Sequence, residues 1–420
     1  MKNLLEDIYG ISPEIQRLTD EAKSDCAPYF ERAEKISDFN SVKVLAAFKK
    51  NSISEQHLSA TTGYGYDDVG RDTLDRVYAD VFGADDALVR HNIVNGTMAI
   101  SACFYGILRP GDTLVAVTGT PYDTLGEVIG IRGEAGCGSL ADFGINYREV
   151  DLKDGKPDFD AIRNSIDDSV KMVAIQRSRG YAWRESLSVD VIGEIVRTVK
   201  SVKPDTVCFV DNCYGEFTDM REPTQVGADL IAGSLIKNPG GGLAMSGGYI
   251  AGTKKCVELV SYRLTCPGIG RECGATLGQN RHMYQGLYMA PHIVCQSIKA
   301  GMLCSRVFEK LGYEVTPSYS AARNDIITSV KLGSKEKMID FCRGVQSASP
   351  IDSYVTPLPW AMPGYDSEVI MAAGTFVSGA SIETSADGPI REPYIIYYQG
   401  GLTFEGAQLP IMCAAQQIAK

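Results

Sequence analysis

Two residues in this 420-residue chain have the types and the spacing for imine chemistry. Asp211 closes an apolar run, and Lys237 follows 26 residues later in Ser234-Leu235-Ile236-Lys237-Asn238-Pro239. A lysine amine forms a Schiff base with an aldehyde cofactor, and a carboxylate keeps a pyridine nitrogen protonated so that the ring accepts electrons. The pair therefore points to pyridoxal 5'-phosphate. The interval leaves room for a turn and one further strand, which sets both groups at the strand ends where α/β sheets build their sites. An isolated pair of this kind is more often a solvated lysine and a capping aspartate. The flanking residues reverse that judgement.

Gly96-Thr97 opens an apolar helical run to Leu108, and a helix start offers free N–H groups, a hydroxyl and a positive dipole end to a phosphate. Ser234, three residues before Lys237, can add a second hydroxyl. Tyr122 ends Thr118-Gly119-Thr120-Pro121-Tyr122 after a strand and can stack on a flat ring. Rival nucleotide motifs fail: the glycines from Gly268 to Gly274 have the wrong interval for a dinucleotide fingerprint, and no Walker-type loop occurs. Gly240-Gly241-Gly242 reads as a close-approach loop beside the lysine.

The elements that must hold these groups follow from periodicity. Residues 12–60 read as helix, with Ser12 as cap, Pro13 in the first turn and Ile15, Leu18, Ala22 and Cys26 at helical spacing. From 87 to 252, unalternated apolar runs at 87–89, 113–117, 172–175, 207–210, 230–232 and 248–251 alternate with amphipathic stretches. Such runs are strands buried on both faces, so the fold class is α/β with a mainly parallel, helix-flanked sheet. Beyond about 300 the pattern changes to strands at 326–332, 369–376 and 394–398 with helices at 335–345 and 403–420. We read three parts: an N-terminal helical segment (1–60), a large cofactor-binding domain (61–300) and a smaller α+β domain (301–420).

Composition narrows the function. The chain is 44% hydrophobic and 22% charged, an ordinary globular balance, and its net charge of −11 argues against nucleic acid or an anionic membrane as partner. Its 12 cysteines form no Cys-x-x-Cys and its four histidines no metal-binding cluster, so no metal is expected. Cys103, Cys208, Cys295 and Cys304 sit in apolar patterns as small hydrophobes. The start, Met1-Lys2-Asn3-Leu4-Leu5-Glu6-Asp7, carries acids where a secretory signal runs apolar. A cytoplasmic enzyme with reduced thiols is expected.

Several long blocks resemble one family: 63–71 (GYGYDDVGR), 119–125 (GTPYDTL), 176–181 (QRSRGY), 233–242 (GSLIKNPGGG) and 398–402 (YQGGL). They are similar to the methionine gamma-lyase-like proteins associated with aluminium resistance, over nearly the whole chain. The resemblance implies an aspartate-aminotransferase-like (fold type I) three-layer enzyme of the cystathionine and methionine lyase branch. It implies Lys237 as the Schiff-base lysine, Asp211 as the pyridine partner and Tyr122 as the stacking ring, with Gly96, Thr97 and Ser234 around the phosphate. Relatives lend a tyrosine and an arginine to the neighbouring subunit's site. Here Tyr66, 30 residues before Gly96, takes the tyrosine's place, but Asp68 stands where the arginine belongs and Arg71 is the substitute. The arginine that clamps the substrate carboxylate is also displaced; Arg391 is the leading substitute, followed by Arg177 and Arg179.

The function implied is elimination of a sulfur group from an amino acid resembling methionine, cystathionine or cysteine, ending in a keto acid and ammonia. A homodimer or homotetramer with shared sites is implied. Transamination or a non-sulfur β-elimination uses the same scaffold. From another class comes a cofactor-binding stress-resistance protein without turnover, which has no need of an electron-sink carboxylate such as Asp211.

Overall fold

The computed structural model describes residues 2–419. Its larger sheet holds β1 (Asp86–Arg90), β2 (Thr113–Ala116), β3 (Asn146–Glu149), β4 (Val170–Gln176), β5 (Val207–Asp211), β6 (Leu230–Ser234) and β7 (Gly248–Gly252). The spatial order is β1-β7-β6-β5-β4-β2-β3. Only β7 runs against the rest, pairing antiparallel with both β1 and β6. Every residue of β2, β5, β6 and β7 is buried, which is why these strands are continuous apolar runs.

The smaller sheet is antiparallel, built from β8 (Glu314–Thr316), β9 (Thr328–Lys331), β10 (Val369–Ala372), β11 (Ser385–Pro389) and β12 (Ile395–Gln399) in the order β8-β9-β12-β11-β10. Helix Lys335–Ser347 packs on it, and helix Phe404–Ile418 packs on that helix in turn. Helix Pro13–Lys50 starts where Ser12 accepts the Ile15 N–H, and buries Ile15, Ala22, Cys26, Phe30 and Ala33 along one face. That face lies against helix Asn280–Lys310 and touches the closing helix.

The structure departs from the pattern reading at several points. The first long helix stops at Lys50, capped by Asn51, and a short 3-10 turn at Glu55–Leu58 follows. Position 300 lies inside helix Asn280–Lys310, so the chain passes between the two sheets along an unbroken helix. β3, with an almost wholly solvated Asn-Tyr-Arg-Glu sequence, is a polar edge strand. β10 ends at Ala372, before Gly374, whose absent side chain would collide with the Ile351 carbonyl 2.2 Å away. Gly241 and Gly286 allow the segment after Lys237 to press on the long helix: a Cβ on Gly241 would stand 2.4 Å from the Gly286 carbonyl oxygen. The triple glycine therefore serves helix packing. Among the described residues no helix is long and apolar enough to cross a membrane, and no group of three or more His, Cys, Asp or Glu is placed to hold a metal ion.

Candidate active site

Parallel pairing brings the chemistry to one edge. Gln176 and Asp211 lie side by side at the ends of β4 and β5, with Ala232 of β6 beside Asp211, and Lys237 follows the end of β6 by three residues. The lysine turn is closed by the short 3-10 segment Asn238–Gly240. Asn238 donates its side-chain amide to the carbonyls of Tyr214 at 2.9 Å and Glu216 at 3.0 Å, tying that turn to the loop after Asp211. Tyr214 sits at φ 70° in this loop, a conformation rare for a side-chain-bearing residue. Its ring lies beneath Lys237, with Nζ 4.1 Å from the centroid. No carboxylate forms an ion pair with Lys237 among the described residues. Burial opposes its charge, but the acidic surroundings, Cys213, Tyr214, Asp211 and Glu216, outweigh burial and raise its pKa.

Asp211 is buried and accepts the Cys213 N–H at 3.1 Å. Burial raises its pKa, while Lys237 and the Cys213 N–H act in the opposite direction. Helix Gly96–Ile107 begins beside it, with Asn95 accepting the Met98 N–H at 2.8 Å. A Cβ on Gly96 would stand 3.0 Å from Cys213 Sγ and 3.6 Å from Ser234 Cβ. Gly96 thus lets the helix start converge with Ser234 and the Asp211 loop. Thr97 Oγ1 lies 2.9 Å from Thr124 Oγ1, joining this helix to the Tyr122 segment.

Tyr122 is held by its N–H, which donates to Gln176 Oε1 at 2.8 Å, and by a short hydrogen bond between its hydroxyl and that of Tyr365. Tyr181 continues the wall, its ring 5.6 Å from Tyr122, 5.9 Å from Tyr365 and 5.1 Å from Tyr397. Burial, and then the neighbouring acidic groups, keep the Tyr122 hydroxyl far above the usual phenol pKa, so it is a neutral donor at physiological pH. A cavity of about 620 Å³ opens against Tyr122, Gln176 and Tyr181 and is lined further by Arg179, Arg184 and Arg391.

The candidate arginines separate by their partners. Arg177 is fully buried and directs its guanidinium to Asn212 at 2.7 Å, Thr218 at 3.1 Å and Glu222 at 3.4 Å. Both of its Nη groups are engaged inside the protein and the side chain is out of reach of a ligand, which argues against it as a substrate clamp. Arg179, also buried, gives Nη1 to the Thr316 carbonyl at 2.8 Å and faces Asp325 at 3.5 Å. Arg391 is exposed on the cavity wall, and its guanidinium has no hydrogen bond or ion pair among the described residues. Arg71 is buried and pins the Gly65 and Gly274 carbonyls at 2.7 and 2.9 Å, so it does not supply the missing phosphate arginine. Tyr66 is 56% exposed and stacks on Tyr64 at 5.4 Å, away from the hydrogen bonds that join the other candidates.

Sequence reading overlooked Tyr214, Tyr365 and Asp387 as site residues. Tyr214 is signalled only by its place three residues after Asp211. The other two come from the C-terminal third and reach the site through tertiary packing alone.

The mixed, mainly parallel sheet with its C-terminal antiparallel partner is the fold of the type I pyridoxal-phosphate-dependent proteins. The YhfS protein of Escherichia coli, described as pyridoxal-5'-phosphate dependent, has this fold: TM-score 0.60 at 15% identity, covering 92% of this chain and 97% of that one. Residues 15–419 match the methionine gamma-lyase family, and the chain belongs to it. The YnbB protein of Bacillus subtilis (strain 168) is 53% identical over 399 residues, 95% of each chain. The crystal structure of a carbon-sulfur lyase involved in aluminum resistance from Clostridium novyi NT superposes with TM-score 0.95 at 54% identity, covering 98% of this chain and 97% of that one. A structure from Clostridium acetobutylicum gives TM-score 0.97 at 49% identity over 99% and 98% of the two chains.

Pyridoxal 5'-phosphate is the family's cofactor, and the residues here fit it. A lysine amine without an ion pair, a buried carboxylate at a strand end and a glycine-opened helix start beside a serine are what its aldehyde, ring nitrogen and phosphate require.

Proposed function

We propose that the protein is a carbon–sulfur lyase acting on a sulfur-bearing amino acid. The observation that carries this reading is Lys237, whose amine lies over the face of Tyr214 with no ion pair among the described residues, yet close enough to Asp211 for each to shift the other's pKa. When bound, pyridoxal phosphate supplies an electron sink that acidifies the Cα–H bond of an attached amino acid. Lys237 would hold the cofactor through Nζ and, in turnover, would take up the Cα proton at that atom. Asp211 keeps the ring nitrogen protonated. Gly96, Thr97 and Ser234 would hold the phosphate, and Tyr122 would cover the ring with its hydroxyl neutral. Arg391, on the cavity wall, would meet the substrate carboxylate in two hydrogen bonds and so fix the orientation of the Cα–H bond.

The carbon–sulfur bond then breaks with its electron pair on sulfur, and the sulfur takes a proton. Water completes the reaction, giving a thiol, a keto acid and ammonia. Tyr66, exposed beside Tyr64, completes the phosphate site of a second copy in a homo-oligomer.

The test is a panel of sulfur amino acids and their oxygen or carbon counterparts, read by both keto-acid and thiol release. The reading expects equimolar thiol and keto acid from at least one sulfur substrate. Amino-group transfer to an added keto acid, without thiol release, would contradict it in favour of transamination.

A further inference from the structure

Tyr365 reaches the Tyr122 segment from the C-terminal part along an irregular stretch. Residues 348–368, between helix Lys335–Ser347 and β10, form no helix and, apart from a bridge between Trp360 and Val369, no strand pairing. An ordered loop of this length without secondary structure of its own is uncommon and usually carries function. Its last turn rests on the segment that follows β2. Gly364, at φ 83°, lies where a Cβ would stand 3.4 Å from Thr124 Cγ2. Asp366 Oδ2 is 3.0 Å from Arg132 Nη1, and the same nitrogen is 3.1 Å from Asp123 Oδ1. Between these contacts the hydroxyl of Tyr365 hydrogen-bonds to that of Tyr122.

The three contacts differ in what they can do. Asp366 is largely exposed, and an ion pair in solvent contributes little. Gly364 gives close approach without chemistry. The hydroxyl pair bears on the reaction, because Tyr122 is the ring assigned to cover the cofactor. The two rings meet edge to face, 6.1 Å apart at 83°, with Tyr181 5.6 Å from the first and 5.9 Å from the second. Packing holds the rings, but a phenol hydroxyl has one proton to donate and can turn it to either side, so its partner decides the direction. Burial raises Tyr365 to about 12, with the bond to Tyr122 acting against it. At Tyr122 the same bond adds to the rise that burial and the acidic neighbours cause. That is the pattern of a bond in which Tyr122 donates and Tyr365 accepts.

We propose that Tyr365 is a positioning residue: it accepts a hydrogen bond from the Tyr122 hydroxyl and so fixes the direction in which that hydroxyl points. The inference rests on the reading that Tyr122 covers the cofactor ring. Tyr365 touches no reacting atom, and its effect passes through Tyr122. With the Tyr122 proton directed at Tyr365, the Tyr122 oxygen keeps its lone pairs for the rest of the site, where they can accept a hydrogen bond from an arriving ammonium. Without the Tyr365 hydroxyl, that of Tyr122 turns between two orientations, of which one is productive.

Tyr122→Phe, Tyr365→Phe and the double variant form the test, since phenylalanine keeps the ring and removes only the hydroxyl. In the holoenzyme Tyr365→Phe should lower kcat by about fivefold or more with KM within about twofold of wild type. In a Tyr122→Phe background it should cost nothing further. A kcat within about twofold of wild type, or the same fall in both backgrounds, overturns the proposal. So does a change confined to KM, which would make Tyr365 a substrate contact. Amide hydrogen exchange of the cofactor-free protein separates this inference from the lyase reading. Each single substitution should speed exchange in peptides covering 119–130 and 361–369 by about two- to tenfold, and the double variant should go no further. If that coupling appears while no thioether is cleaved, the tyrosine pair stands and the lyase reading fails. If the single substitutions leave exchange unchanged, or their effects add, the pair is not formed and the proposal fails.

Discussion

Beneath the loop that carries Tyr214 lies Glu216, with Tyr249 donating its hydroxyl to Oε1 at 2.9 Å and Oε2 left without a partner. Burial raises its pKa from 4.5 to about 8, and neighbouring Glu222 adds to the shift. The consequence for stability has a definite sign. Between about 4.5 and about 8 the folded protein keeps a proton that the unfolded chain has released. Stability is therefore fully present below the unfolded value and is lost as pH rises through this window, by up to about 1.4 kcal/mol per pH unit. Asp387, raised from 3.8 to about 7, acts in the same direction over an overlapping range. Calorimetric Tm of the cofactor-free protein should fall as pH rises from about 5 to about 8, and Glu216→Gln should flatten that slope without abolishing it. An unchanged slope in the variant would show that Glu216 is ionised in the fold.

At the scale of elements, legibility followed burial. β2, β5, β6 and β7 are buried at every position, and each stands in the sequence as an uninterrupted apolar run. Since the Lys237–Asp211 interval spans β6, reading those runs was enough to bring the two residues to one edge. β11 left no such trace. Its sequence, Ser-Ala-Asp-Gly-Pro, has neither β-branched residues nor alternation, and its place is set by pairing with β10 and β12. Asp387 was hidden with it. Helix Asn280–Lys310 was obscured by Gly286, Pro291 and Gly301, residues that weaken helical propensity. Gly286 and Gly301 are there for close approach: a Cβ on the first would meet the Gly240 carbonyl oxygen at 2.3 Å, and on the second Arg323 at 2.8 Å. Arg177 misled for a related reason. Its neighbours in sequence gave no sign that Glu222, 45 residues away, would claim it.

At the scale of the molecule, the site lies where the large sheet's strand ends meet tyrosines and Asp387 from the C-terminal part, and the stacked Tyr64 and Tyr66 remain on the surface of the single chain. If Tyr66 serves a second copy, Tyr66→Phe and Lys237→Ala chains should complement each other. Mixed oligomers, formed by subunit exchange and verified as hybrids, should exceed the summed activities of the separate variants. Hybrids with no gain, or a fully active monomer in sedimentation, would place Tyr66 outside the site. The claim on which every other role depends is that Lys237 holds the cofactor. Borohydride reduction of the holoenzyme, followed by proteolysis and mass spectrometry, tests it directly. The pyridoxyl adduct should map to the peptide containing Ser234-Leu235-Ile236-Lys237, and Lys237→Ala should yield none. An adduct on any other lysine would contradict the assignment of the site.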